Sequence, residues 1–145
     1  MKRLLLLICW LPMLATAKVS RTDSLLRILE FSKTDTDRVN TYNELSKCAL
    51  EEKDSLHASL YANDAISLSE KTKFIKGKIN GLYNLAELHY FKAAYKKAGQ
   101  YYLEGLKLAN AAGLIKERSL GYHTYSIILR DLGDNKGSLR YNDSA

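Results

Sequence analysis

His57, His89 and His123 are the three histidines of this chain, and Cys9 and Cys48 its two cysteines. Metal or nucleophile chemistry would have to rest on them. A zinc site needs ligands that converge at motif spacing. These histidines are far apart in sequence, with no His-x-x-x-His and no Glu-x-x-His, so each reads as a packing or surface histidine. Cys48 lies inside a helical pattern with no cationic neighbour that spacing guarantees, which makes it an inert buried thiol. The Gly-x-Ser-x-Gly elbow, the phosphate-cradling Walker loop, paired catalytic carboxylates and the dinucleotide fingerprint are missing. The expectation is a non-catalytic chain with no cofactor and no metal.

Charge narrows the partners. Lys71 to Lys78, "KTKFIKGK", bunches four lysines around a loop, with Phe74 and Ile75 placed as a helix-entry anchor. Such a run suits an anion or a membrane surface, but runs of this kind usually face water. Met1-Lys2-Arg3, the apolar run Leu4 to Leu14 and Ala15-Thr16-Ala17 form the three parts of a secretory signal peptide, with cleavage after Ala17. The run is shorter than the roughly 20 residues of a membrane span. Loss of Lys2 and Arg3 with that leader lowers the formal charge from +6 to +4. That excess is mild, and an exported chain rarely meets nucleic acid, so nucleic acid is not an expected partner. Cys48 is then the sole cysteine, and stability must come from packing.

The elements that carry these residues read as helices throughout. No proline follows Pro12, and apolar residues recur at helical spacing. The pattern predicts helices near 23–32, 37–52, 55–70, 74–92, 95–112, 114–132 and from 135 onward. Asp54 and Asp134 or Asn135 suit N-caps, and Gly113 suits a C-terminal stop. The helices pair, and the pairs repeat every 40 residues. Tyr42, Leu45 and Ser46 align with Leu82, Leu85 and Ala86, and then with Tyr122, Tyr125 and Ser126. Ala58 aligns with Ala98 and Ser138, Ala62 with Tyr102 and Asn142, and Ala65 with Gly105 and Ala145. A register kept through two helices and a turn marks a repeat architecture. Leu45, Ala58, Ala65, Leu85, Ala86, Ala98, Tyr102, Gly105, Tyr125 and Ser138 are its expected packing residues.

This pattern resembles the tetratricopeptide repeat. The middle unit, "LYNLAELHYFKAAYKKAGQYYLEGLKLA", carries it best, and "LGDNKGSL" looks like the family's Gly-Asp turn. His89 stands where the family favours tyrosine, as do Ala49 and Leu129, and Ala93-Ala94 replace Gly-Asp. The step also exceeds the family's usual period of about 34 residues, which implies longer helices. The resemblance implies an all-α, right-handed TPR-like superhelix of antiparallel helix pairs. Its units run over about 36–73, 74–113 and 114–145, the last incomplete, behind a lead-in helix and linker over 18–35. A leader, a short helix and then repeats looks like the extracytoplasmic part of bacterial sensor histidine kinases and helix-turn-helix regulators.

The family's first helices line a peptide-binding groove. Matching positions here are Asn43, Lys47, Tyr83, Asn84, Glu87, Tyr90, Phe91, His123, Ile127 and Arg130. Leu120 and Thr124 occupy the places of basic residues in the family's chaperone-tail clamp, so that ligand is not expected. The implied function is a periplasmic-side protein–protein interaction module, either the sensing or dimer-contact region of a larger signalling protein or a free-standing adaptor. The expected partner is a protein or peptide, with a homodimer through the repeats as a variant. A membrane would enter only through further downstream sequence or an uncleaved leader. The pattern also predicts a bare last edge at Tyr122, Tyr125 and Leu129, each exposed side chain forfeiting ~1.5–3 kcal/mol, as in a piece of a longer chain.

Overall fold

The computed structural model describes residues 20–145, and the expected leader over 1–17 lies outside them. Among the described residues there are seven helices and no strand: α1 (Arg21–Phe31), α2 (Asp35–Glu51), α3 (Ser55–Thr72), α4 (Ile75–Phe91), α5 (Tyr95–Ala111), α6 (Ile115–Asp131) and α7 (Asn135–Asn142). The all-α expectation holds.

The cycle inside each 40-residue unit is finer than the pattern of side chains shows. From α2 onward, every helix starts 20 residues after the one before it, at Asp35, Ser55, Ile75, Tyr95, Ile115 and Asn135. The turns keep the same step. Lys53, Lys73, Ala93, Gly113 and Gly133 all have positive φ, between 55° and 85°. The residue after each of them sends its N–H back to a carbonyl five positions earlier: Asp54 to Ala49 (2.7 Å), Phe74 to Ser69 (2.9 Å), Ala94 to His89 (2.9 Å), Leu114 to Ala109 (3.0 Å) and Asp134 to Leu129 (2.8 Å). This left-handed closure satisfies orphan carbonyls of the finished helix. The same residue then opens the next helix as its N-cap. Asp54 and Asp134 add a side-chain cap, accepting from the His57 N–H at 3.0 Å and the Gly137 N–H at 2.9 Å.

Within each pair, α2 packs on α3, α4 on α5 and α6 on α7; between pairs, α3 packs on α4 and α5 on α6. The first helices also touch one another, α2 with α4 and α4 with α6, whereas α3, α5 and α7 do not. The first helices are therefore the inner layer of a curved array. α1 packs only on α2, in the place that the second helix of a preceding pair would take. Its last residue, Phe31, falls 20 before Glu51, so it keeps the half-unit register. It buries no residue fully and is held by polar contacts. Arg21 reaches Glu44 at 3.0 Å and Glu51 at 3.4 Å, and Thr22 donates to Glu52 at 2.9 Å. Exposed pairs of this kind contribute at most about 1 kcal/mol each.

Small residues on the second helices admit large ones from the first. Ala58, Ala62, Ala65, Ala98 and Ala109 are fully covered, opposite a core that includes Val39, Leu45, Ile79, Leu85 and Ile128, with Ala86 buried among them. Tyr83 shows the logic best. Its ring lies where a side chain at Gly105 would have to go, and its hydroxyl where one at Gly121 would. Burying such a ring contributes about 1.5–3 kcal/mol, and either glycine replaced by a larger residue would displace it. Tyr125 and Ser138 are half-buried. The last edge is less bare than its pattern predicts. Tyr141 of the short α7 reaches back to Tyr122 and Tyr125, with ring centroids 5.8 and 4.8 Å apart, so these rings and Leu129 are half-buried.

Candidate functional site

Curvature turns one face of α2, α4 and α6 into a trough. The positions that face it repeat with the 40-residue step, so Lys47, Glu87 and Ile127 form one row. A cavity of about 650 Å³ between the ends of α2 and α4 is lined by Lys47, Leu50, Glu51, Lys53, Ser55, Glu87, Leu88, Phe91 and Lys92. A smaller one, about 170 Å³, is lined by Glu87, Tyr90, Phe91, Tyr102, Thr124 and Ile127. The two share Glu87 and Phe91, so they are adjoining parts of one trough. Phe91 is 67% exposed there, a large apolar ring turned to solvent.

The charges in the trough are unequally matched. Lys47 pairs with Glu44 at 3.0 Å, and Glu51 is reached by Arg21. Glu87 forms no hydrogen bond or ion pair among the described residues. Burial pushes its carboxyl above the usual glutamate range, with Lys47 opposing and Glu51 adding to the effect. The rings around it are held firmly. The Tyr90 hydroxyl donates to Asp131 at 2.7 Å, tying α4 to α6, and that hydrogen bond raises the Tyr90 phenol. Tyr102 lies with its ring centroid 5.0 Å from that of Tyr83, its phenol raised by burial.

Of the ten groove positions expected from sequence, Lys47, Glu87, Tyr90, Phe91 and Ile127 line the cavities. Three others are buried instead, because they point along the array into a neighbouring unit. Asn43, Tyr83 and Asn84 are buried, with 3–5% of their surface exposed. The Asn43 amide donates to the Gly77 carbonyl at 3.1 Å, and the Tyr83 hydroxyl donates to the Glu117 carbonyl at 2.9 Å, one unit further on. The Asn84 amide donates to the Asn43 carbonyl at 3.0 Å. These residues bind unit to unit rather than a ligand. His123 continues the Asn43–Tyr83 column and is exposed outside both cavities, as is Arg130, which stands 3.7 Å from Asp131. Leu50, Glu51, Lys53, Ser55, Leu88 and Lys92 also line the trough, none of them an expected groove position, and so does Thr124, which stands at a clamp position of the family; the spacing of Glu51 from Lys47, repeated by Phe91 from Glu87, is the signal that finds two of the rows. Tyr102, expected in packing, does both.

The histidines and Cys48 are local features. His57 Nδ1 lies 2.6 Å from the Asp54 carboxylate, and the Asp54 carboxyl is held below its usual range by the His57 backbone N–H and then by the ring. His89 stacks on Tyr101 at 5.5 Å, and burial, followed by Lys97 and Lys92, lowers it. Cys48 is buried, and burial raises its thiol. Among the described residues no three or more His, Cys, Asp or Glu side chains are grouped as a metal site, and no helix is long and apolar enough to cross a membrane. No protein-family model matches the chain, and no curated protein matches it.

Proposed function

We propose that this chain is a non-catalytic interaction module that holds an extended stretch of a partner protein in the trough of its first helices. The observation that carries the reading is the trough itself, where successive units present matching rows and Phe91 stands open to solvent beside Glu87, which has no partner among the described residues. An exposed ring among polar neighbours offers rigid apolar area at low entropic cost, as recognition surfaces do. Within this reading the units form a right-handed superhelix of the tetratricopeptide kind. The cationic head and apolar run at the start of the sequence support a location on the periplasmic side, and on this reading the module is the sensing or dimer-contact part of a bacterial signalling protein.

A random-peptide display library selected on the full chain and on Phe91→Ala tests the reading. Phe91 is largely exposed, so the variant should keep its helicity and lose the enriched peptides. Equal enrichment on both proteins would place binding elsewhere.

A further inference from the structure

We propose that the Glu87 end of the trough is a subsite for a lysine or arginine side chain of the bound peptide, a specificity that rests on the trough being the peptide site. Three observations meet there. Glu87 is a half-buried carboxylate without an ion-pair or hydrogen-bond partner among the described residues, whereas Glu44 and Glu51 of the same face are already matched by Lys47 and Arg21. It opens into a small cavity whose other walls are Tyr90, Phe91, Tyr102 and Ile127, apart from Thr124. A carboxylate backed by aromatic rings is the complement of an organic cation, because the ring faces attract positive charge while the carboxylate accepts its hydrogen bonds. The row that contains it reads Lys47, Glu87, Ile127, so neighbouring units present a cation, an anion and an apolar group in turn.

The row also fixes a register. Packed helices stand about 8–10 Å apart, and an extended chain advances about 3.3 Å per residue. A peptide crossing the inner layer therefore places its basic residue at Glu87 and, about three residues away, an apolar side chain against Ile127. An anionic residue about three positions to the other side would face Lys47, which Glu44 already partly satisfies, so that preference is the weaker of the two.

The test extends the same display selection to Glu87→Gln and Glu87→Lys in the full chain. Peptides enriched by the parent should carry Lys or Arg with a large apolar residue about three positions away. Glu87→Gln should bind them about tenfold more weakly or worse. Glu87→Lys should turn the preference toward Asp and Glu. Enrichment of peptides that depends on Phe91 but shows no basic preference would overturn the subsite and leave the trough standing. Absence of any enrichment over Phe91→Ala would overturn both.

Discussion

Replacing Ala93 with glycine should stabilise the protein, although no contact is added. Ala93 closes α4 with φ 55°, a left-handed conformation that costs an L-residue about 1–2 kcal/mol. Glycine takes it freely but has more freedom to lose from the unfolded chain, worth about 0.4–1 kcal/mol in the other direction. The net gain is about 0.5–1 kcal/mol. Nothing else changes, because Ala93 is exposed and its N–H keeps its bond to Tyr90 O at 2.9 Å. The reciprocal change, Gly113→Ala, should lose a similar amount. Gly113 has φ 66° and no atom within 4 Å of a Cβ built there, so the cost is backbone conformation alone. Thermal melts followed by circular dichroism at 222 nm should separate the variants, since 1 kcal/mol moves Tm by roughly 2–4 °C in a chain approaching this size. A lower Tm for Ala93→Gly, or an unchanged one for Gly113→Ala, would mean that these residues are not left-handed and that the 20-residue cycle of helix and turn is misplaced.

The remaining predictions concern the core and the trough. Ser69 Oγ is buried with no hydrogen-bond partner among the described residues, and the equivalent residue one unit on is Ala109; Ser69→Ala should therefore raise stability by about 1 kcal/mol in urea titration, and a loss would show that the hydroxyl is bonded after all. Tyr83→Phe removes the hydrogen bond to Glu117 O and should cost about 0.5–1.5 kcal/mol while leaving peptide binding intact, whereas reduced binding at unchanged stability would return Tyr83 to the trough. Glu87 has a raised folded pKa, so its contribution to stability is fully present below its ordinary range and is lost as pH rises through the folded value. Glu87→Gln should accordingly melt above the parent at pH 7, with the gap closing as the pH is lowered toward 4. A parent that is the more stable protein at pH 7 would mean that Glu87 has a cationic partner within the chain. This sign also separates stability from recognition, because the variant expected to lose basic peptides is the one expected to fold better.

What could be read from the residues, and what could not, divides along the kind of interaction involved. Side-chain volume leaves a trace. Ala58, Ala98 and Gly105 are visible as small types at a fixed step, because close-packed interiors constrain volume, whereas the ring of Tyr83 that fills the space over Gly105 is not. Backbone chemistry leaves much less. The turns at Lys53, Lys73 and Ala93 share one geometry with Gly113 and Gly133, yet without glycine they carry no common residue type, so the 20-residue half-cycle stayed hidden behind the 40-residue one. For the same reason α1 read as a separate lead-in, although its end at Phe31 keeps the half-unit register. The groove assignment failed at Asn43, Tyr83 and Asn84 on this ground. Their polar ends spend themselves on carbonyls, of Gly77, Glu117 and Asn43, and an acceptor on the main chain has no signature in sequence. An amide or a phenol on the inner helices looks like a recognition group until its partner is located. Glu87 is the opposite case: a neighbouring charge would have been visible as a residue type, and its carboxylate meets none within bonding reach among the described residues. Burial of an unmatched charge is costly unless something completes it, and that is why the proposed recognition is assigned to Glu87 rather than to the buried Tyr83.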